Sequence, residues 1–138
     1  MRLLAPALAL LACIATPALP HSEEPLPRIV LKGGEGQVVP DSGVTLLLTG
    51  ITDQRCPPDV DCFWEGMIRA EIAVMPPKGE WTQIVLCNLC DDGERSATVD
   101  GLTLTLMGLA PSMEELAKLA RPPLLTDYEL TLAYLNLG

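Results

Sequence analysis

Positions 62 to 74 alternate in side-chain character, and this alternation constrains the fold more than any other feature of the sequence. Every second residue is apolar or small, in the order Cys62, Trp64, Gly66, Ile68, Ala70, Ile72 and Val74. Charged residues lie between them: Glu65, Arg69 and Glu71. Because successive side chains of a strand point to opposite faces, the pattern predicts a strand with one buried face and one hydrated face. Trp64 is then expected in the core, packed on a disulfide as in other β-sandwiches.

Short segments rich in Val, Ile, Leu and Thr recur along the rest of the chain, with turn residues between them. Further strands are expected at 28–32, 37–39, 44–52, 81–86, 96–99, 102–107 and 128–137. One helix is expected at 113–121, where Ser112 and Glu115 have the spacing of a capping box. The sequence therefore predicts an all-β fold, a small disulfide-stabilised, Ig-like β-sandwich of seven or eight strands with one short helix.

The first 18 residues predict a secretory signal peptide, because Arg2 precedes an uncharged apolar run that is too short to span a membrane. Two processing routes are open. Residues 10–13 (LLAC) are similar to a bacterial lipobox, in which Cys13 would carry a lipid and become the mature N-terminus. Cleavage at Ala15 or Ala18 would instead discard Cys13. Residues 19–27 are rich in proline and predict an extended tether, which leaves 28–138 as the folded domain.

The charge balance limits the functions that the folded part can have. Without the first twenty residues, eight basic residues remain against 18 acidic ones, a net charge of −10. This disfavours nucleic acids and anionic membrane surfaces, which need clustered Lys and Arg. His21 is the only histidine and lies next to the signal, so Ser–His and Cys–His nucleophiles are excluded from the domain. We expect no cofactor and no enzymatic activity.

Four cysteines follow the signal: Cys56, Cys62, Cys87 and Cys90. An even number in an exported chain of this size is typical of a disulfide framework, and three pairings are open. Local bridges would close residues 57–61 and residues 88–89, the second only if the chain turns there. A zinc site made of all four cysteines and a redox-active pair at Cys87 and Cys90 are the alternatives.

Residues 53–66 (DQRCPPDVDCFWEG) carry a more specific pattern. The segment resembles a family of small exported bacterial proteins, many of them lipoproteins, that share a motif near D-x-R-C-P-x-D-V-x-C-x-W-x-G. The resemblance implies a single β-rich domain, export, and a local disulfide between Cys56 and Cys62. It also implies a later leucine-rich strand that ends in proline, to which residues 102–111 are similar. It implies no activity, and Cys87 and Cys90 lie outside the motif.

Four residues near this motif are candidates for an interaction surface. Arg55 would bind an anion or a partner, or else form a structural ion pair with Asp53, Asp59 or Asp61, which we favour. Phe63, Glu65 and Met67 are expected on the outward face of the strand. Exposed there, Phe63 and Met67 would form a patch for a partner, unless the helix covers them.

The function indicated by these features is a non-catalytic binding or structural role in the periplasm or cell envelope. The partner would be an unknown envelope protein or a small ligand, and contact with a membrane would come only through a lipid on Cys13. The alternative is a periplasmic metal-binding or thiol-redox protein that uses Cys87 and Cys90.

Overall fold

A computed structural model describes residues 23–91 and 93–138. The predicted signal peptide and Cys13 lie outside the described residues. The elements are β1 (Arg28–Lys32), β2 (Gly36–Val38), β3 (Thr45–Arg55), β4 (Gly66–Met75), β5 (Thr82–Asn88), β6 (Ser96–Val99), β7 (Leu102–Ala110), α1 (Met113–Ala117), a 3₁₀ turn (Leu125–Asp127) and β8 (Glu129–Asn136). Among the described residues, no helix has the length and apolar character needed to cross a membrane.

The eight strands form two four-stranded antiparallel sheets. Sheet 1 has the strand order β1-β8-β7-β6, and sheet 2 has the order β2-β3-β4-β5. Of the three cysteine pairings left open by the sequence, the structure has the local one, with the disulfides Cys56–Cys62 and Cys87–Cys90. The prediction of a small, disulfide-stabilised all-β sandwich is therefore confirmed.

The core between the sheets is aliphatic, because the alternation of each strand presents one apolar face inward. In β4 the inward residues are Ile68, Ala70 and Ile72, all buried. Leucines of β3 and β8, such as Leu48 and Leu132, are completely buried and belong to the same cluster. Burial of one such leucine side chain contributes about 2 kcal/mol to folding, so this shared cluster holds the two sheets together.

The predicted strand at 62–74 begins later than expected, at Gly66. Gly66 has φ of +88°, and a Cβ there would lie 2.5 Å from the Cα of Arg55. The chain thus enters β4 through a tight turn that favours glycine. Trp64 precedes this turn and is 52% exposed, so its predicted core position is wrong. The alternation upstream of Gly66 belongs to a loop, where it does not report a buried face.

The helix is shorter than the predicted 113–121, since α1 is a single turn. Its capping box is formed as expected: Glu115 donates its backbone N–H to the Ser112 hydroxyl, and its carboxylate accepts from the Ser112 backbone N–H. Leu116 is the buried residue of the turn. After it, Leu119 donates its backbone N–H to the carbonyl of Leu116, three residues back, so the last turn tightens and the helix ends.

Strand register places three long connections at one end of the sandwich. Residues 56–65 join β3 to β4, residues 89–91 and 93–95 belong to the connection between β5 and β6, and residues 111–128 join β7 to β8. We call this the loop end. The opposite end holds the turns at 39–44 and 76–81 and the hairpin at 100–101. Because β1 pairs antiparallel with β8, residues 23–27 lead away from the loop end.

Candidate functional site

An ion pair between Asp53 and Arg55 forms the base of the loop end. The Nε and Nη2 groups of Arg55 donate to the two carboxylate oxygens of Asp53 at 2.9 Å and 2.8 Å. The side chains are only 7% and 17% exposed for Asp53 and Arg55. Arg55 also donates to the carbonyls of Leu109 at 3.0 Å and Pro111 at 2.8 Å. The structural ion pair is therefore formed, and it ties the two sheets together.

A β-bulge explains why both charged side chains point inward. The register of β3 against β4 shifts by one residue between Leu48 and Gly50. Before the bulge, even-numbered residues such as Leu48 face the core, and after it odd-numbered residues do. Asp53 and Arg55 consequently lie between the sheets at the end of the core, where Arg55 finds the carbonyls of sheet 1.

Electrostatics keep this cluster in one protonation state near neutral pH. Burial raises the pKa of Asp53, but hydrogen bonds and the positive charge of Arg55 outweigh it and hold the pKa below its ordinary value. The hydroxyl of Tyr128 donates to Asp53 at 3.4 Å. Burial first, and the Asp53 charge second, raise the pKa of Tyr128. Asp53, Arg55 and Tyr128 satisfy one another's hydrogen-bonding groups, which is typical of a structural contact more than of a proton-transfer site. We call the contacts of Arg55 with Asp53, Leu109 and Pro111 the clamp.

The loop at 56–65 follows Arg55 directly. Its first part, residues 57–61, is closed by the Cys56–Cys62 disulfide, whose Cα atoms are 6.0 Å apart. Phe63 is completely exposed, and Trp64 and Val60 are about half exposed. Only five aromatic residues occur in the whole chain, and two of them lie side by side on this loop. Several large apolar side chains exposed on one loop are typical of an interaction surface.

The predicted surface residues lie in three different places. Phe63 and Glu65 are exposed together on the loop, whereas Met67 is half-buried on the outer face of β4 and Arg55 lies between the sheets. Phe63 and Met67 do not share a strand face, because β4 begins only at Gly66. The exposure of Phe63 also shows that α1 does not cover it.

The second disulfide closes the end of β5. Cys87 is 2% exposed, and the chain turns at Leu89, which has φ of +59° and projects into solvent. Gly93 packs over the bridge, since a Cβ there would lie 2.7 Å from the Cβ of Cys87. Cys87 is thus shielded from an attacking thiol. In the described parts of the chain, no three His, Cys, Asp or Glu side chains are grouped to hold a metal ion.

Sequence reasoning missed three residues of this surface: Val60, Trp64 and Leu89. The prolines at 57 and 58 predict irregular backbone within the Cys56–Cys62 segment, where Val60 lies, but no local signal placed Trp64 or Leu89 at the surface. A shallow apolar cleft of about 260 Å³ adjoins the loop, between Pro57 and Pro58 on one side and Met113 and Leu116 on the other. It enlarges the apolar surface of the loop end.

Comparisons with known proteins give no match, so any functional argument depends on the geometry described above. No family model matches the chain, no curated protein is significantly similar to it, and no solved structure matches it.

Proposed function

We propose that the protein is an exported cell-envelope protein with a non-catalytic binding role, and that its loop end binds the partner. The two disulfides indicate an oxidising location outside the cytoplasm. The signal-like first 18 residues and the motif at 53–66 support export to the envelope.

The observation that carries the proposal is the exposure of Phe63 and Trp64 on a constrained loop. Phe63 is completely exposed, Trp64 is about half exposed and neither belongs to the core cluster, whereas large aromatic side chains are common anchors of protein interfaces. The disulfide and two prolines restrict the part of the loop that directly precedes these side chains, which reduces the entropy lost when a partner orders the loop. The loop is therefore built to present these two side chains.

The direction of the tether supports the same role. Residues 23–27 are exposed and lead towards the end of the sandwich opposite the loops. The sandwich is about 30 Å long, because the ten residues of β4 each advance about 3.3 Å. A protein attached through its N-terminal segment would hold Phe63 at the far side from the attachment, where a partner has access to it.

Site-specific photo-crosslinking in the native host tests the proposal. A photoreactive phenylalanine analogue at position 63 of the full chain should give discrete crosslinked species. The same analogue at Lys78, on the opposite end, is the matched control and should give none. Failure of position 63 to give any species, in protein that remains folded, would overturn the proposed binding role.

Intact mass under native, non-reducing conditions tests export and the status of the cysteines together. Protein purified from the envelope should lack residues 1–12 or the whole signal, and should be lighter by the hydrogens of two disulfides. A lipid on Cys13 would identify the tethered form. Free thiols with a retained metal ion would support the metal or redox function of Cys87 and Cys90 instead.

A further inference from the structure

We infer that the loop end docks into a protein partner whose binding site is an apolar pocket edged by lysine and arginine side chains. This inference rests on the proposed function and specifies the chemistry of the partner.

Apolar side chains from two neighbouring loops form the centre of the docking surface. Val60, Phe63 and Trp64 are exposed on the first loop, and Leu89 is 60% exposed on the second. The loops are neighbours because Ile68 near the start of β4 pairs with Asn88 at the end of β5. Single exposed leucines are normal, but several large apolar residues at one end of a small domain mark a binding patch.

Acidic residues predominate in the connections at the end of the sandwich that carries this apolar centre. The described residues of the three connections at the loop end, 56–65, 89–91 with 93–95, and 111–128, include eight acidic and three basic ones. Two of the basic side chains are engaged within the protein. Arg121 pairs with Asp127 at 2.7 Å, and Arg95 donates to the carbonyl of Leu106 at 2.9 Å. The loop at 56–65 has acidic residues and no base at all. The field around Phe63 is therefore negative.

A negative rim around an apolar centre selects among partners. Anionic lipid surfaces and nucleic acids are repelled, because each bears phosphate charges of the same sign. A protein pocket with a basic rim is attracted, and such complementarity accelerates encounter and fixes orientation. Phe63, which projects completely into solvent, needs a concave apolar site to be desolvated.

Neutralising the loop carboxylates is the direct test. The triple variant Asp59→Asn, Asp61→Asn, Glu65→Gln removes the acidic residues of the first loop. The matched control Asp41→Asn, Glu80→Gln, Asp100→Asn removes three acidic residues at the opposite end. Both are made in the full chain with the photoreactive analogue at position 63. At low ionic strength the loop variant should lower the crosslinking rate about tenfold, and the control should leave it unchanged.

Thermal unfolding of the purified variants separates lost binding from lost folding. Asp59, Asp61 and Glu65 are all exposed, so the loop variant should unfold at the temperature of the unsubstituted protein. If it does not, the single variant Glu65→Lys replaces it, and the same loss of crosslinking is expected.

The crosslinked product then identifies the partner surface. Mass spectrometry of the species from position 63 should show a peptide from a protein surface rich in Lys and Arg. Crosslinks that persist at full rate in the loop variant would overturn the inference but leave the proposed binding role standing. Crosslinks to a glycan, or to an acidic protein surface, would also overturn it.

An experiment with lipid vesicles tests whether the loop end binds a membrane instead of a protein. With Trp81→Phe, Trp64 is the only tryptophan, and its emission reports its surroundings. The protein is mixed with vesicles of phosphatidylcholine, alone or with phosphatidylglycerol. The inference predicts no change in emission with either vesicle. A blue shift with either would mean that Phe63 and Trp64 insert into a membrane, and would overturn it.

Discussion

The two disulfide bridges lie at the same end of the sandwich and are both local, yet they do different things. Cys56–Cys62 closes residues 57–61, directly before the exposed Phe63 and the half-exposed Trp64. Cys87–Cys90 closes a tight turn whose first cysteine is buried beneath Gly93. One bridge constrains a surface and the other completes the packing of β5. The comparison teaches that the residues packed around a bridge, more than its spacing, determine which role it has.

The largest effect is expected from crowding the buried bridge with Gly93→Ala. The added methyl group would lie 2.7 Å from the Cβ of Cys87 and 3.1 Å from that of Cys90, so the turn must shift. We expect a loss of about 3 kcal/mol in the free energy of unfolding, measured by urea denaturation. Gly108→Ala is the matched control, because no atom lies within 4 Å of its added Cβ. Equal stability of both variants would show that the turn is not tightly packed.

The second-largest effect on stability is expected from breaking the clamp beneath the exposed loop. Asp53→Asn removes the charge that pairs with Arg55 and leaves the guanidinium partly buried without its counterion. We expect a loss of about 2 kcal/mol, less than for a fully buried pair because Arg55 keeps some contact with water. Glu35→Gln, in the exposed pair with Lys32, should change the free energy of unfolding by less than about 0.5 kcal/mol. A similar loss in both variants would contradict the clamp.

The same ion pairs make stability depend on pH in the acid range. Asp53 and Asp127 have pKa values below the ordinary 3.8, and hydrogen bonds from Arg121 lower that of Asp127 to about 2. Such carboxyls stabilise the fold above pH 3.8, and the stabilisation is lost as the pH falls through the folded pKa. The free energy of unfolding should therefore fall between about pH 4 and pH 2, and Asp127→Asn should flatten this fall.

Removing each bridge in turn compares the two directly. Loop entropy predicts a loss of about 2 kcal/mol for Cys56→Ala with Cys62→Ala, and slightly less for the shorter Cys87–Cys90 loop. The second pair should nevertheless lose at least as much, because Cys87 is also part of a packed turn. Only the first pair should slow crosslinking from position 63. If the second pair slows it equally, the division of roles is wrong.

The smallest effect on stability should come from the exposed surface itself. Phe63→Ser with Trp64→Ser should change the free energy of unfolding by less than about 0.5 kcal/mol, since neither side chain belongs to the core cluster. A loss of several kcal/mol would mean that these residues pack in solution and are not free to bind. The matched comparison is Leu48→Ala, in the core, which should cost about 3 kcal/mol.

Local patterns were sufficient for several strands and for the capping box, whereas they left the pairing of the cysteines open. Residues 96–99 were predicted with the bounds of β6, and the alternation at Ile68, Ala70 and Ile72 correctly assigned the inward face of β4. The capping box at Ser112 also formed as predicted. These features depend on near neighbours in sequence, whose geometry is set by strand and helix periodicity.

The candidate surface was less predictable. The alternation of side chains along the predicted strand placed Trp64 in the core and Phe63 outside, but the strand begins only at Gly66, after both residues. A strict alternation along β3 would also assign the inward face incorrectly, because the bulge after Leu48 reverses which residues face the core. Leu89 joined the surface only through the pairing of β4 with β5.

The sequence by itself determined that the chain forms an all-β domain of acidic character, and it indicated a disulfide framework whose pairing it left open. Those properties follow from side-chain periodicity, cysteine spacing and composition, which act over a few residues. Only the tertiary structure decided that Arg55 clamps two sheets and that Phe63, Trp64 and Leu89 share one end. These outcomes depend on a bulge, a glycine turn and contacts between residues distant in the chain, which no local pattern specifies.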